Sequence, residues 1–453
     1  MSTVNMPRGG TRRTVGAFTA NVDMRFDEAV LADGTAAHIE NFDVTSGALT
    51  DGYGVAEVSG WTDVECISLW QFRRYDYATS AYVSTDMYCS AGGDVYYRSG
   101  GTWTQLPGVK FTSPPRAVGY RLYGDDCIIM TSGTDGMYVW DGSSPAYKVD
   151  SPGITSMALS GERMFACVSG ESNAVYFSDD LDPTEWTVSP SAGGFVQLID
   201  ERGRLLEALD FLGYVYLVRE YGISRLSGTG DQSGFSVANL YVAGGALYAG
   251  GAAVCGDTIM LTGADGLYSF DGYSASRKLR TVRLAPSPDA SAVYSDGKYY
   301  LAARTDSASE GNDTLIVYDL GENTFSLSRI AVTRLCKLGG DVYAVLPDGS
   351  TGRVEKCGSL LGVPLVKTWE SGVMDYGTPK IKTVSEIALR TDKDVVLTVE
   401  CGGRTRTFSV PGGGARRVRP AMSGETVKLK LTASAAGARI SRLSVLVRSA
   451  GWT

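Results

Sequence analysis

Gly133-Thr134-Asp135-Gly136-Met137-Tyr138-Val139-Trp140-Asp141-Gly142 returns 130 positions later as Gly263-Ala264-Asp265-Gly266-Leu267-Tyr268-Ser269-Phe270-Asp271-Gly272. Each copy opens on an Asp-Gly turn, runs through four strand-forming residues rich in aromatics, and closes on a second Asp-Gly turn. The separation is about three times the ~40–50-residue period of propeller blades. A turn-strand-turn unit that cannot bury its own face alone, repeated along a chain, points to a radial β architecture.

Working outward, glycines in a similar local setting precede a strand-like run at Gly93, Gly124, Gly161, Gly213, Gly256, Gly297 and Gly340. Their spacings are 31, 37, 52, 43, 41 and 43, with a mean of about 41, again a blade length. Most of these runs are followed by a turn and a second strand, as in a meandering antiparallel sheet. Seven units can be counted between residues 61 and 364. The short last unit and the ragged first one leave six or eight open.

The flanks differ. Residues 1–60 read as an extended arm and lead-in, and the first 20 or so are expected to order only against a partner. After Pro364, strands are expected at Ser385–Leu389, Val395–Cys401, Thr405–Val410, Thr426–Leu431 and Ile440–Val447, with a loop at Pro411–Gly414. Val427, Leu429 and Leu431 alternate strictly with Lys428 and Lys430, one face dry and one wet. Residues 365–453 therefore read as a β-sandwich. The expected fold is all-β: an extended N-terminal arm, a propeller of about seven blades and a C-terminal sandwich.

Composition agrees. The chain has 453 residues, 56 Gly and 25 Tyr, and no stretch with a sustained 3.6-residue apolar period. The formal net charge of −8 is split unevenly. From Val366 onward there are 15 basic and 7 acidic residues, a net of +8; the remainder holds 27 and 43, a net of −16. Such asymmetry speaks to partners rather than to fold. The first 21 residues carry Arg8, Arg12 and Arg13 and no apolar run, so neither a signal peptide nor a membrane anchor is expected.

Chemistry is hard to find in this text. His38 is the single histidine, and any Ser/His/Asp or Cys/His site would have to use it. The eight cysteines are scattered without paired spacing, which suits small buried hydrophobes better than zinc or disulfides. Gly228-Thr229-Gly230 sits between strands and opens no helix, so it does not read as a phosphate loop. Acidic stretches such as Asp313–Asp319 lack the spacing of a calcium loop. Paired carboxylates of a propeller glycosidase are the one catalytic option left, and 50 acids make any pair easy to name. The segment Asp179-Asp180-Leu181-Asp182-Pro183-Thr184-Glu185-Trp186 is partly like the Asp-box of sialidases but lacks its Gly and its spacing. It reads more simply as a turn before a packed Trp. No catalytic residue, metal ligand or cofactor is assigned, and the protein is expected not to be an enzyme.

The pointed residues are basic. Arg404 and Arg406 alternate on one strand face, and Arg416, Arg417 and Arg419 follow the Gly loop. They read either as a wet sandwich face or as a docking face for an acidic surface, such as the propeller of a neighbouring copy. Aromatics do not interleave with them, which argues against nucleic acid.

Three stretches together resemble tailed-phage virion proteins. Asn21-Val22-Asp23, Leu31-Ala32-Asp33-Gly34, Asn41-Phe42-Asp43 and Gly47-Ala48-Leu49 resemble the short lead that precedes a propeller in those proteins. Asn173–Ser178 with Asp182-Pro183-Thr184-Glu185-Trp186 resembles one of their blades, and Ser227–Gly230 with Gly263–Gly272 resembles another pair. The resemblance covers about residues 20–280, with an echo at Trp369-Glu370-Ser371-Gly372. The chain is thus similar to the tail hub or nozzle proteins of short-tailed phages, also called tail accessory or DNA-stabilisation proteins. That resemblance implies a ring, commonly of six copies, that extends the portal–adaptor channel, retains or conducts DNA, and anchors tail fibres, spikes or a needle below. It implies location in the virion tail after assembly in the host bacterial cytoplasm, with DNA passing through without specific binding. Two rivals stay open: a receptor- or glycan-binding virion propeller, marked by exposed aromatics in blade loops, and a propeller glycosidase, marked by carboxylates converging in the central funnel.

Overall fold

The computed structural model describes residues 11–14, 18, 22–31, 35–44, 46–61, 64–189, 192–228, 232–287, 289–377 and 379–449. Six four-stranded antiparallel sheets follow one another along the chain, each a simple meander. They are blade 1 (66–110), blade 2 (116–149), blade 3 (154–197), blade 4 (205–242), blade 5 (253–279) and blade 6 (291–328). In each, the first strand is innermost, and it touches the first strand of the preceding blade or, for blade 3, the second strand of blade 2. In the seventh sheet the meander runs through only three consecutive strands, Arg334–Leu338, Asp341–Val345 and Thr351–Glu355. Its fourth strand is Gly54–Ala56, which pairs antiparallel with Thr351–Glu355, and the short strands Ser359–Leu360 and Val363–Pro364 extend the sheet beyond it. The protein is a seven-bladed β-propeller, closed by a strand that comes from before blade 1.

Closure by an early strand explains why the last unit looked short in the sequence. The ragged first unit has a different cause. Gly124, Gly161, Gly213, Gly256, Gly297 and Gly340 all lie in the turn between first and second strands of their blades. Gly93 lies one turn later, before the third strand of blade 1. The equivalent turn there ends at Ser80, between the long strands Cys66–Asp76 and Ala81–Ser90, and contains no glycine. Ser80 adopts the left-handed backbone that glycine adopts elsewhere, with φ of 50°.

The two copies of the repeat are the second-to-third-strand hairpins of blades 2 and 5, three blades apart. Tyr138 and Trp140 pack with Phe72, Met87 and Phe111 of blade 1, while Tyr268 and Phe270 pack with Phe211 and Tyr216 of blade 4. Both copies thus turn their aromatics toward the preceding blade. The turns differ by one residue: Ser132 pairs with Gly136, but Gly263 with Gly266. Gly266 sits at φ of 124°, and a Cβ there would lie 2.0 Å from the Leu279 carbonyl oxygen, so only glycine fits. Between blades 7 and 1 the seam is aromatic. Trp61 is fully buried among Tyr88, Trp103 and Tyr343.

The C-terminal sandwich has two five-stranded sheets. One holds Lys367–Ser371, Val427–Ala433, Val395–Cys401 and Arg404–Val410; the other holds Lys382–Thr391, Ile440–Ser449, Gly414–Val418 and Met422–Gly424. The five strands expected from the sequence are all present within a few residues. Each sheet also takes a strand from the N-terminal region: Ala36–Glu40 pairs with Lys367–Ser371, and Thr11–Thr14 pairs with Ile440–Ser449. Residues 1–60, expected as an extended arm and lead-in, contribute strands to both parts. Residues 36–40 belong to the sandwich, 54–56 to blade 7, and Phe18 packs edge-on against the fully buried Trp369, with centroids 5.3 Å apart. Residues 1–10 and Ala32–Gly34 of the lead lie outside the described residues.

One core joins the two parts. Sandwich residues Trp369, Leu397, Leu429 and Val445 share an apolar cluster with Tyr299, Leu301 and Leu327 of blade 6, through Ile39 and Phe42 of the lead. The Asn41 side chain accepts from the Arg329 amide at 2.7 Å and donates to the Val366 carbonyl at 2.7 Å, tying lead, propeller and sandwich at one point. The sandwich is thereby seated on the rim of blades 5 and 6.

Candidate interaction surfaces

The innermost strands all run from one face of the propeller, called upper here, to the other, lower face. At the upper mouth lies a cavity of about 530 Å³, lined by the starts of those strands and including Ser68, Arg116, Ser291 and Arg334. Arg116 of blade 2 reaches to Glu207 of blade 4, Nη2 to Oε1 at 3.2 Å. Glu207 is buried and also accepts from the Gly250 amide at 3.1 Å. Arg334 of blade 7 donates to the Pro115 carbonyl at 3.2 Å. Burial lowers the Arg334 pKa, and nearby Arg116 adds to that fall. These bonds link blade 2 to blade 4 and blade 7 to the segment before blade 2 at the upper mouth. The one buried carboxylate within it, Glu207, is committed to a guanidinium and an amide, a poor arrangement for a general acid.

The lower face is different. Every blade turns its first hairpin there, and every one of those hairpins carries a carboxylate: Asp76, Asp125, Glu162, Asp210, Asp257, Asp296 and Asp341. All but Asp76 are exposed. Large side chains stand between them. Tyr123 is 84% exposed, Leu212 59% and Leu181 57%. All three have positive φ, at 51°, 50° and 61°. Tyr77, Tyr82, Tyr147, Tyr214 and Tyr273 extend the same crescent over blades 1 to 5. A second cavity, of about 420 Å³, opens between blades 3 and 4, walled by Phe165, Tyr214 and Phe235 with Glu162 and Asp180 at its rim. Arginines already stack on tyrosines of this face: Arg73 over Tyr82 at 4.2 Å and Arg225 over Tyr214 at 4.6 Å.

The segment resembling an Asp-box lies on this face and is a turn, as its residue types suggest. The Asp182 carboxylate accepts from the Thr184 amide at 2.9 Å, and from the Tyr123 hydroxyl at 2.6 Å. Trp186 is buried between blades 2 and 3, its indole donating to the Pro183 carbonyl at 3.0 Å.

The five arginines do not form one face. Arg404 and Arg406 pair across from Cys401 and Val399, whose side chains are buried. They therefore point to the inner side of their sheet, at its open edge. Arg416 pairs across from buried Leu389 and also points inward. It donates to the Pro411 carbonyl at 3.0 Å and to the Gly412 carbonyl at 2.6 Å, holding the glycine loop. Arg406 donates to the Pro420 carbonyl at 2.7 Å, across the gap between sheets. Arg417 and Arg419 point to the outside, with Arg417 at 3.8 Å from Glu386. Inward-pointing charges on edge strands keep such edges from pairing with other strands. Arg404 and Arg419 have no ion-pair partner among the described residues.

His38 lies on the sandwich strand taken from the lead, its Nε2 3.3 Å from Glu40 Oε1. That bond, with the charge of Glu40 and Glu370, raises its pKa, against an opposing effect of burial. The cysteines are all free, and all but Cys357 are buried. Burial pushes the Cys66 and Cys89 thiols up to about 12, far from thiolate chemistry. Among the described residues no three His, Cys, Asp or Glu side chains gather as a metal cage. No helix among them is long and apolar enough to cross a membrane.

No protein-family model and no curated protein sequence matches the chain. Among solved structures it is similar to the extracellular domain of the putative one component system BT4673 from B. thetaiotaomicron, at 10% identity and a TM-score of 0.43, over 67% of this chain and 39% of that one. It is also similar to the RRP9 WD40 repeats, at 8% identity and a TM-score of 0.39, over 68% of this chain and 92% of that one. The computationally designed Ika8 protein matches at 12% identity and a TM-score of 0.37, over 67% of this chain and 99% of that one. The chain thus spans about two fifths of the length of the first of these proteins.

Proposed function

We propose that this chain is a structural component of a bacteriophage tail, one copy of a homo-oligomeric ring of the hub or nozzle kind, without catalytic activity of its own. The observation that carries this reading is a fixed charge polarity. Residues 61–365, which hold the propeller, carry 23 basic and 35 acidic residues, a net of −12, the part from Val366 onward carries +8, and a continuous apolar core joins the two. A body with opposite charge at opposite sides suits head-to-tail contact, which closes into a ring when the rotation allows. The motif resemblance of residues 20–280 supplies the phage context, with portal and adaptor proteins above and fibre, spike or needle proteins below. In such a ring a lumen formed between copies, with a wall of net negative charge, would not hold DNA.

The test is to mix purified protein with tail-less virions and image by negative stain, with sedimentation velocity at low and high salt beside it. Rings at the virion vertex that weaken with salt are expected, because exposed charges are screened beyond about 8–10 Å at physiological ionic strength. A protein that stays monomeric and ignores the virion refutes the reading.

A second reading, a receptor- or glycan-binding virion propeller, is favoured by one observation: the exposed tyrosines cluster in blade loops of the lower face. No comparable observation favours the glycosidase.

A further inference from the structure

We propose that the lower face of blades 2 to 4 receives the arginine-lined open edge of the sandwich of a second copy of this chain. The proposal rests on the ring reading above and supplies the contact that such a ring requires.

Tyr123, Leu181 and Leu212 are large, exposed and held at positive φ. In that region a residue with a Cβ is strained, a cost that glycine avoids. In the isolated chain the two leucine tips stand in water, and Tyr123 gains one hydrogen bond, from its hydroxyl to Asp182 at 2.6 Å. Strain of this kind at exposed apolar tips is offset when the tips are covered.

Charge names the cover. Asp125, Glu162, Asp180 and Asp210 surround these tips and are all exposed. The cavity between blades 3 and 4 has aromatic walls with Glu162 and Asp180 at its rim, the surroundings that a guanidinium group takes by stacking and pairing. Arg73 and Arg225 already use tyrosines of this face in that way. The complementary surface is on the same chain. Arg404 and Arg419 are exposed, without ion-pair partners among the described residues, and lie beside Arg406 and Arg417 at the open edge of the sandwich. The sandwich sits on blades 5 and 6, away from blades 2 and 3. Within one chain Arg163 already lies 3.6 Å from Asp180, but the sandwich arginines cannot reach Asp125, Glu162 and Asp210, and those of a second copy in the same orientation can. The contact is heterologous and propagates from copy to copy.

The experiment is a charge exchange on the full chain. One variant carries Arg404→Glu and Arg419→Glu; the other carries Glu162→Arg and Asp210→Arg. All four positions are exposed, so both variants are expected to fold, checked by circular dichroism and melting. By sedimentation velocity at low salt, each variant alone is expected to self-associate at least about tenfold more weakly than the unaltered chain. Mixed together, the two are expected to form complexes again through the reversed pair. Tyr214→Ser is expected to weaken association in the unaltered background. Unaltered assembly of both variants overturns this contact while leaving a ring through other surfaces. A chain that never self-associates overturns the contact and the ring together. Binding of bacterial lipopolysaccharide that is lost in the Glu162/Asp210 variant, with assembly unchanged, assigns the face to a glycan and overturns the proposal.

Discussion

Arg116 on blade 2 and Glu207 on blade 4 meet across the upper mouth of the propeller at 3.2 Å, with a whole blade between them in sequence. The Glu207 side chain is almost fully buried, while that of Arg116 is 41% exposed. Removing one partner is therefore not symmetrical. Arg116→Ala leaves a buried carboxylate with the Gly250 amide as its remaining described donor, and should cost about 1–3 kcal/mol. Glu207→Gln keeps an acceptor for that amide and should cost less. Urea unfolding of the two variants checks the order; equal losses, or none, would show that the pair is not what holds the mouth.

Trp140 and Phe270 answer to each other across three blades. Trp140 packs against Phe72 and Tyr97, with centroids at 5.8 and 4.8 Å, and Phe270 against Tyr216 at 5.9 Å. Both are buried. Trp140→Ala and Phe270→Ala should each destabilise by roughly 3–5 kcal/mol, as for other large core aromatics. A loss below about 1 kcal/mol at either site by the same unfolding measurement contradicts their equivalence as inter-blade wedges.

Closure depends on a short strand. Val55 is fully buried, pairs with Val354, and its carbonyl accepts from the Leu361 amide at 2.7 Å. Val55→Asp places an unpaired charge in that seam and should open the ring of blades between 7 and 1. Limited proteolysis is expected to cut first near residues 54–61 and 346–366 in this variant. A cleavage pattern like that of the unaltered chain counts against closure by this strand.

Asp313 gives the acid response a named contributor. Burial alone would raise its pKa, but the amides of Thr305 and Asp306 and the hydroxyls of Thr314 and Ser309 outweigh it and hold it at about 2. A depressed carboxylate contributes stability above its unfolded pKa, and that contribution is lost as pH falls through the folded value. The window runs from about pH 4 down to pH 2. Asp313→Asn should reduce stability at neutral pH by roughly 1 kcal/mol, allowing for solvent screening, and flatten the fall below pH 4. Melting curves between pH 2 and 7 read this directly; an unchanged acid slope removes Asp313 from the account.

The blades, at about seven, and the sandwich were legible because their signals are local. A strand's burial alternates with period 2, and its hairpin turn takes Gly or Asp at fixed places, so Val427, Leu429 and Leu431 or the paired Asp-Gly decades announce themselves. The basic residues were legible as a group for the same reason. What could not be read is everything set by pairing between distant segments. Gly54–Ala56 is too short to show a period, and it becomes the fourth strand of blade 7 because it meets Thr351–Glu355, about 300 residues away. Ala36–Glu40 joins the sandwich for the same reason. The inward turn of Arg404, Arg406 and Arg416 follows from cross-strand register against Val399, Cys401 and Leu389, which no spacing within one strand reveals. The crescent of Tyr123, Leu181 and Leu212 exists only once three blades are set side by side. Sequence determined which segments become strands, through local periodicity and turn chemistry. Tertiary structure alone decided which strands are neighbours and which side chains share a surface, because hydrogen-bonded pairing and apolar burial act between residues that are distant along the chain.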